Sequence, residues 1–273
     1  MWIALKGVIK YFLPAPILVF LRSRSALWTG NYNSWDQAIS SCYGYGAPNI
    51  LLKIDQAAEQ VASGQVAWER DSVVFNQVQQ SWPVLCALLW SYSLSNKLNI
   101  LDFGGSLGTS YYQNQKYLKH LPFIWNIVEQ SHYVSLGRRK YQTDQLYFWE
   151  NIQSCVDNHS PNVFLASASL QYYPDPTALL VELTKCAFDV LVFDRVQVFA
   201  GDKNRLTRQV VPEQVYRASY PCWIMHEHFL VQQLREHYDL VSEFDSYSPN
   251  NIFIDGKIES WSKGYIFRRS TLL

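Results

Sequence analysis

Residues 100–108, Ile-Leu-Asp-Phe-Gly-Gly-Ser-Leu-Gly, join a short apolar run to a stretch of helical character. Glycines there let the backbone turn sharply and approach a ligand with no Cβ in the way. Free amides at the start of the following helix then face a polar or anionic group. Asp102, Gly104, Gly105, Ser106 and Gly108 are therefore the first candidate ligand contacts. Glu129, directly after Trp125–Val128, is the second, since an acid at the end of the next strand accepts hydrogen bonds from ribose hydroxyls. A tight turn and a solvated loop carboxylate are the plainer readings of each alone. The order strand, glycine turn, helix, strand, acid points to a nucleotide-type ligand.

The dinucleotide fingerprint G-x-G-x-x-G does not fit, because its first glycine falls on Phe103. The spacing Asp102, Gly104, Gly108 matches instead the D-x-G-x-x-x-G form of methyltransferase motif I, with Ser106 where a glycine is usual. That match implies S-adenosylmethionine as the cofactor. It also draws attention to Ser167–Pro176, which follows the fourth strand and in such enzymes runs beside the methionine part of the cofactor and the acceptor. Ser169 and Leu170 are candidate cofactor contacts, and Gln171 and Tyr172 candidate lining of the acceptor cleft. A polar loop before a proline-started helix is the alternative.

Methyl transfer asks for alignment, exclusion of water and sometimes removal of a proton. Asp194, after the fifth strand, is the candidate base, and Arg195 beside it can hold an anionic acceptor such as a sugar acid or phosphate. A structural ion pair is the competing reading. His226 is a second candidate base. His226 and His228 would share one face of a strand but diverge at a helix start, and no third ligand is spaced for a metal, so none is expected. Tyr216 and Tyr220, and Trp28, Tyr32 and Trp35 from the N-terminal part, are aromatic candidates for the acceptor pocket, against ordinary core packing. Glu69-Arg70-Asp71 is read as a structural ion cluster or a cleft wall.

The elements that must position these residues follow from pattern. The predicted helices before residue 94 are 35–41, 49–63, 73–80 (capped by Asp71 or Ser72) and 84–92 (started by Pro83). Strands are expected at 99–103, 125–128, 145–149, 163–166 and 190–193, alternating with helices at 109–120, 134–141 and 175–186. This is an α/β, Rossmann-like, doubly wound sheet. A helix at 229–237 and antiparallel strands at 240–245, 251–255 and 264–268 complete it. The expected organisation is an apolar N-terminal segment, 1–27, a helical cap, 28–94, and a cofactor-binding domain, 95–273.

The 273 residues carry 23 basic and 23 acidic side chains, so nothing marks a nucleic-acid surface. Five scattered cysteines without a C-x-x-C favour reduced thiols and a cytoplasmic setting. Tyr11–Leu21 is apolar with basic flanks but too short to span a bilayer. It packs on the domain or, alternatively, lies at the inner face of a membrane through residues 1–25.

Several runs together give the chain a wider resemblance. They are Trp28-Thr-Gly-Asn-Tyr-Asn-Ser-Trp, Glu69-Arg-Asp-Ser, Leu101-Asp-Phe-Gly-Gly, Ser169-Leu-Gln-Tyr, Asp194-Arg, Asn204-Arg-Leu-Thr and Ala218-Ser-Tyr-Pro-Cys-Trp-Ile. The chain resembles a bacterial family of class I methyltransferases, often linked by context to surface-polysaccharide synthesis. That resemblance implies a cofactor-binding core with a helical cap and a small-molecule or glycan-type acceptor. Two other functions stay open: a nicotinamide-dependent oxidoreductase on the same fold, and a non-catalytic partner protein with a degenerate methyltransferase fold.

Overall fold

The computed structural model describes residues 27–44, 48–212, 217–246 and 252–270. The apolar N-terminal run and Tyr216 lie outside the described residues. Among those described, no helix is long and apolar enough to cross a membrane.

The chain runs β1 (Trp28–Thr29), α1 (Trp35–Ser40), α2 (Pro48–Ala62), the hairpin β2 (Trp68–Arg70) and β3 (Val73–Phe75), then α3 (Trp82–Ser95). Next come β4 (Leu98–Phe103), α4 (Thr109–Leu118), β5 (Phe123–Val128), α5 (Ser131–Lys140), β6 (Leu146–Trp149), α6 (Ile152–His159), β7 (Val163–Ser167) and α7 (Pro176–Cys186). The last part is β8 (Val190–Phe199), β9 (Arg205–Val210), β10 (Ser219–His226), α8 (Phe229–Leu234), β11 (Tyr238–Asp245), β12 (Ile252–Ile254) and β13 (Ile258–Arg269).

Capping explains several boundaries. Ser34 accepts from the Gln37 amide to start α1, Pro83 sits in the first turn of α3, and Asp175 accepts from the Ala178 amide to start α7. The helix expected over 73–80 does not form. Asp71 and Ser72 both hold positive φ, 52° and 65°, and join β2 to β3 as a two-residue turn. Positive φ at both central residues is the type I′ hairpin geometry, usually written Asn-Gly, so its sequence signal is weak here.

Strands β6-β5-β4-β7-β8 run parallel, and β13 then pairs antiparallel with both β8 and β11. The sheet is thus mixed rather than purely parallel. Side chains alternate between two cores with the period of two that a strand dictates. Ile100, Val163, Leu165 and Val192 face a core shared with α2, α3, α4 and α5. Leu101, Phe164, Ala166 and Leu191 face one shared with α6, α7 and α8. The stretch expected as a separate helical cap therefore gives the first of these cores its α3, and gives the sheet β1.

Two strands that no pattern announced, β9 and β10, change the architecture beyond the carboxyl end of β8. There β8, β10, β9, β1, β12 and β13 form a closed six-stranded ring, because β13 pairs with β12 on one edge and with β8 on the other. Phe199, Cys222, Ile224 and Ile254 form its core, with Trp28 and Tyr172 packed against them.

Because Ser72 occupies a left-handed conformation at a cost of roughly 1 kcal/mol, Ser72→Gly is expected to stabilise the hairpin. Its thermal midpoint should rise by a few degrees, and an unchanged or lower midpoint would remove the assignment of strain to this turn.

Candidate functional site

The glycine loop leaves the carboxyl end of β4 with Gly104 at φ +71°, Ser106 at φ 56° and Gly108 at φ +112° as the cap of α4. Ser106 thus holds the left-handed backbone that glycine adopts most easily, which explains how the loop survives without the usual glycine. The loop is fixed from below. A Cβ on Gly104 would come within 2.5 Å of Ser169 Cβ, and one on Gly105 within 2.6 Å of Asp102 Oδ2. Ser169 Oγ donates to the Phe103 carbonyl at 2.5 Å.

Asp102 is buried and accepts a 3.0 Å hydrogen bond from Trp125 Nε1. Burial, with the Glu129 carboxylate nearby, pushes its pKa up to about 7 against the opposing pull of Trp125 and Arg195. Asp102 and Ser169 therefore lie beneath the loop as its supports. Leu170 is fully buried in the core on the α7 side.

Glu129 meets the loop. Its carboxylate accepts the Gln130 amide at 2.8 Å and lies close to the Ser106 amide. Burial raises its pKa, and these two amides offset part of that rise. A carboxylate has about four lone-pair positions, so acceptor positions are left for hydroxyl groups.

Beside the loop is a shallow, open cleft. Its floor is Ser167 at the end of β7 and Asp194 and Arg195 in the middle of β8, with Thr109, Ser110 and Gln113 from the first turns of α4. Its roof is Trp68 and Arg70 of the hairpin, with Gln79 and Ser81. The hairpin is anchored on α4: Trp68 Nε1 donates to the Thr109 carbonyl at 3.2 Å, and the Thr109 hydroxyl donates to the buried Glu69. Burial raises the Glu69 pKa more than its Thr109 bond lowers it. Sequence left Glu69-Arg70-Asp71 between an ion cluster and a cleft wall, and Arg70 stands in the wall.

Asp194 and Arg195 owe their place to a β-bulge. Phe193 pairs with Tyr265 and Val196 with Lys263, so two residues of β8 stand opposite Gly264 alone. Arg195 takes φ 56°. Beyond it the parity of the strand reverses: Val196 and Val198 share the core of Leu191 and Phe193. Bulges re-aim side chains in this way and recur near active sites. The buried Asp194 accepts from Ser246 Oγ at 2.7 Å and from Ser167 Oγ at 3.1 Å, while Arg195 Nε donates to Ser167 Oγ at 3.3 Å. No simple sequence signal marks Ser246, which also receives the Arg195 amide at 2.9 Å.

The remaining candidates divide. Tyr172 and Tyr220 meet edge to face at 5.2 Å, with the Tyr172 hydroxyl donating to Gln209 at 2.9 Å. They belong to the ring rather than to the cleft lining. Tyr32 packs by β9, its hydroxyl accepting from Ser41 at 2.9 Å. His226 ends β10 level with Phe199, five residues beyond Asp194 on β8 and so about 16 Å along the strand. It is not brought together with Asp194.

With this geometry in view, no family model and no curated protein matches the sequence. The chain is similar to solved structures that include methyltransferases. The 1,6-didemethyltoxoflavin-N1-methyltransferase of Burkholderia thailandensis, with 1,6-didemethyltoxoflavin and S-adenosylhomocysteine bound, superposes with a TM-score of 0.43 at 16% identity, over 81% of this chain and 88% of that one. The N-terminal domain of EvdMO1 with S-adenosylhomocysteine gives 0.48 at 11%, over 79% and 97%. The CcbJ methyltransferase of Streptomyces caelestis gives 0.45 at 10%, over 80% and 98%.

Two predictions follow from the site's strain and burial. Arg195→Gly should unfold at higher denaturant than Arg195→Ala, by about 1 kcal/mol, because only alanine retains the left-handed cost. Equal midpoints would mean that the bulge is unstrained. Asp102 holds a proton in the folded chain at pH values where the unfolded chain has lost it, so stability should fall as pH rises from that of an ordinary aspartate towards about 7. Asp102→Asn should flatten this fall in denaturant titrations run between pH 4 and 8. Glu69 and Glu129, shifted the same way, leave a residual slope.

Proposed function

We propose that this chain transfers a methyl group from S-adenosylmethionine to a small-molecule acceptor. The observation that carries the reading is the meeting of the Glu129 carboxylate with the Ser106 amide of the glycine loop, beside a cleft floored by Asp194 and Arg195. Glu129 has acceptor positions left for ribose hydroxyls, and residues 104–108 keep the backbone close without side chains in the way. When bound, the cofactor supplies an activated methyl group on a sulfonium. The chain's own residues do the rest. Asp102 and Ser169 hold the loop in shape, Asp194 is positioned to hold the proton of an acceptor hydroxyl, and the hairpin β2–β3 covers the cleft against water.

The resemblance to a bacterial family often linked by context to surface-polysaccharide synthesis supports a glycan-type acceptor, and five scattered cysteines without a C-x-x-C support a cytoplasmic site of action, at the inner face of the membrane if residues 1–25 bind there. Nicotinamide chemistry is disfavoured by Phe103 at the first glycine place. The degenerate-scaffold reading loses its main support, since Ser106 keeps the glycine-type backbone.

Calorimetric titration with S-adenosylhomocysteine, with NAD as control, tests the proposal. Binding of the former alone is expected, with affinity at least tenfold lower, about 1.4 kcal/mol, in Glu129→Ala. Binding of NAD alone, or full affinity in that variant, would falsify it.

A further inference from the structure

We infer that the cleft between the hairpin and the sheet is the acceptor subsite, and that it takes a hydroxyl-bearing molecule with an anionic group held between Arg70 and Arg195. This rests on the methyltransferase reading and names its substrate class.

Three observations carry it. The first is the pair of cations on opposite walls. Arg70 comes from the roof, its guanidinium 5.7 Å from the Trp68 ring centre and 5.9 Å from that of Phe75. Arg195 comes from the floor, steadied by Ser167, with its Nε 3.9 Å from the Asp194 carboxylate. Guanidinium groups recognise carboxylates and phosphates by paired hydrogen bonds. The second is the backbone of Arg195. A non-glycine residue held at positive φ inside a strand persists only where the surroundings enforce it, and such residues cluster at ligand sites. The bulge that imposes this conformation lies on β8, two strands from the glycine loop on β4 and so about 10 Å away, on the side where an acceptor would lie.

The third observation is the lining. Beside Trp68 the cleft is lined by side chains that carry hydroxyl, amide and charged groups, which can bond a polar ligand. Gln79 Oε1 is buried at this wall with no hydrogen-bond partner among the described residues. A buried acceptor of that kind calls for a donor, and a ligand hydroxyl supplies one. Asp194, at the same floor, is the group to hold the proton of the hydroxyl that is methylated.

The test titrates protein loaded with S-adenosylhomocysteine against D-glucuronate, D-glucose 6-phosphate and D-glucose by calorimetry. Glucuronate reports a carboxylate, the phosphate ester a phosphoryl group, and glucose the neutral frame. At least one anionic sugar is expected to bind tenfold or more tightly than glucose. Arg70→Ala and Arg195→Gly should each remove that preference with affinity for S-adenosylhomocysteine unchanged. Glucose binding as well as both anions, or neither anion binding, overturns the inference while the cofactor reading stands. So does an Arg70→Ala variant that binds S-adenosylhomocysteine more weakly but retains affinity for 5′-methylthioadenosine, which lacks the amino-acid part, because Arg70 would then serve the cofactor. Loss of S-adenosylhomocysteine binding in the unaltered chain would instead remove the cofactor reading, and the inference with it.

Discussion

One extra residue in β8 organises the upper half of this molecule. A strand buried on both faces has its side chains assigned by parity, and a single insertion reverses that assignment for everything beyond it. Below the insertion, β8 is an inner strand of a layered α/β sheet. Above it, the same strand becomes one stave of a closed ring with β13 on one edge and β10 on the other. The junction is where Asp194 and Arg195 emerge. The cleft floor is therefore a consequence of the change from sheet to ring, and the local strain at Arg195 accompanies it.

The glycine loop depends on a different constraint, the burial of a carboxylate. Asp102 lies under Gly105 and accepts a hydrogen bond from the Trp125 indole. Desolvation there favours the protonated acid. Glu129 and Glu69 are shifted in the same direction for the same reason. Three acids with raised pKa values thus surround the loop and the first turn of α4. Perturbed acids of this sort concentrate at functional sites, although structural burial produces them too. Here both apply: Asp102 supports the loop, Glu69 fastens the roof to Thr109, and Glu129 faces the loop's own amide.

The hairpin β2–β3 connects the two. It is short and turns on two residues of positive φ, and isolated hairpins are marginal in water. It is held by Trp68 and Glu69 on α4, the helix that the glycine loop begins. The loop and the roof thus share the first turn of one helix.

Much of this was written locally. Hydrophobic alternation and glycine punctuation fixed the order of β4 to β8 and the helices between them, and the loop of residues 102–108 with Glu129 could be read as one unit because its spacing is local to a single strand–helix–strand passage. The hairpin at 71–72 was not legible, because Asp-Ser is a poor writer of a turn that Asn-Gly usually spells. Nor were β9 and β10, whose place depends on partners far away in sequence, β1 and β8. His226 and Tyr32 were plausible by residue type yet stand away from Asp194, since strand length and ring closure decide their height above the sheet. Ser246 entered the site only in three dimensions. By itself the sequence determined the layered sheet and the glycine loop, since both follow from short-range periodicity and backbone sterics. The bulge, the ring and the composition of the cleft were decided by tertiary structure alone, because each depends on pairing between strands that no local pattern records.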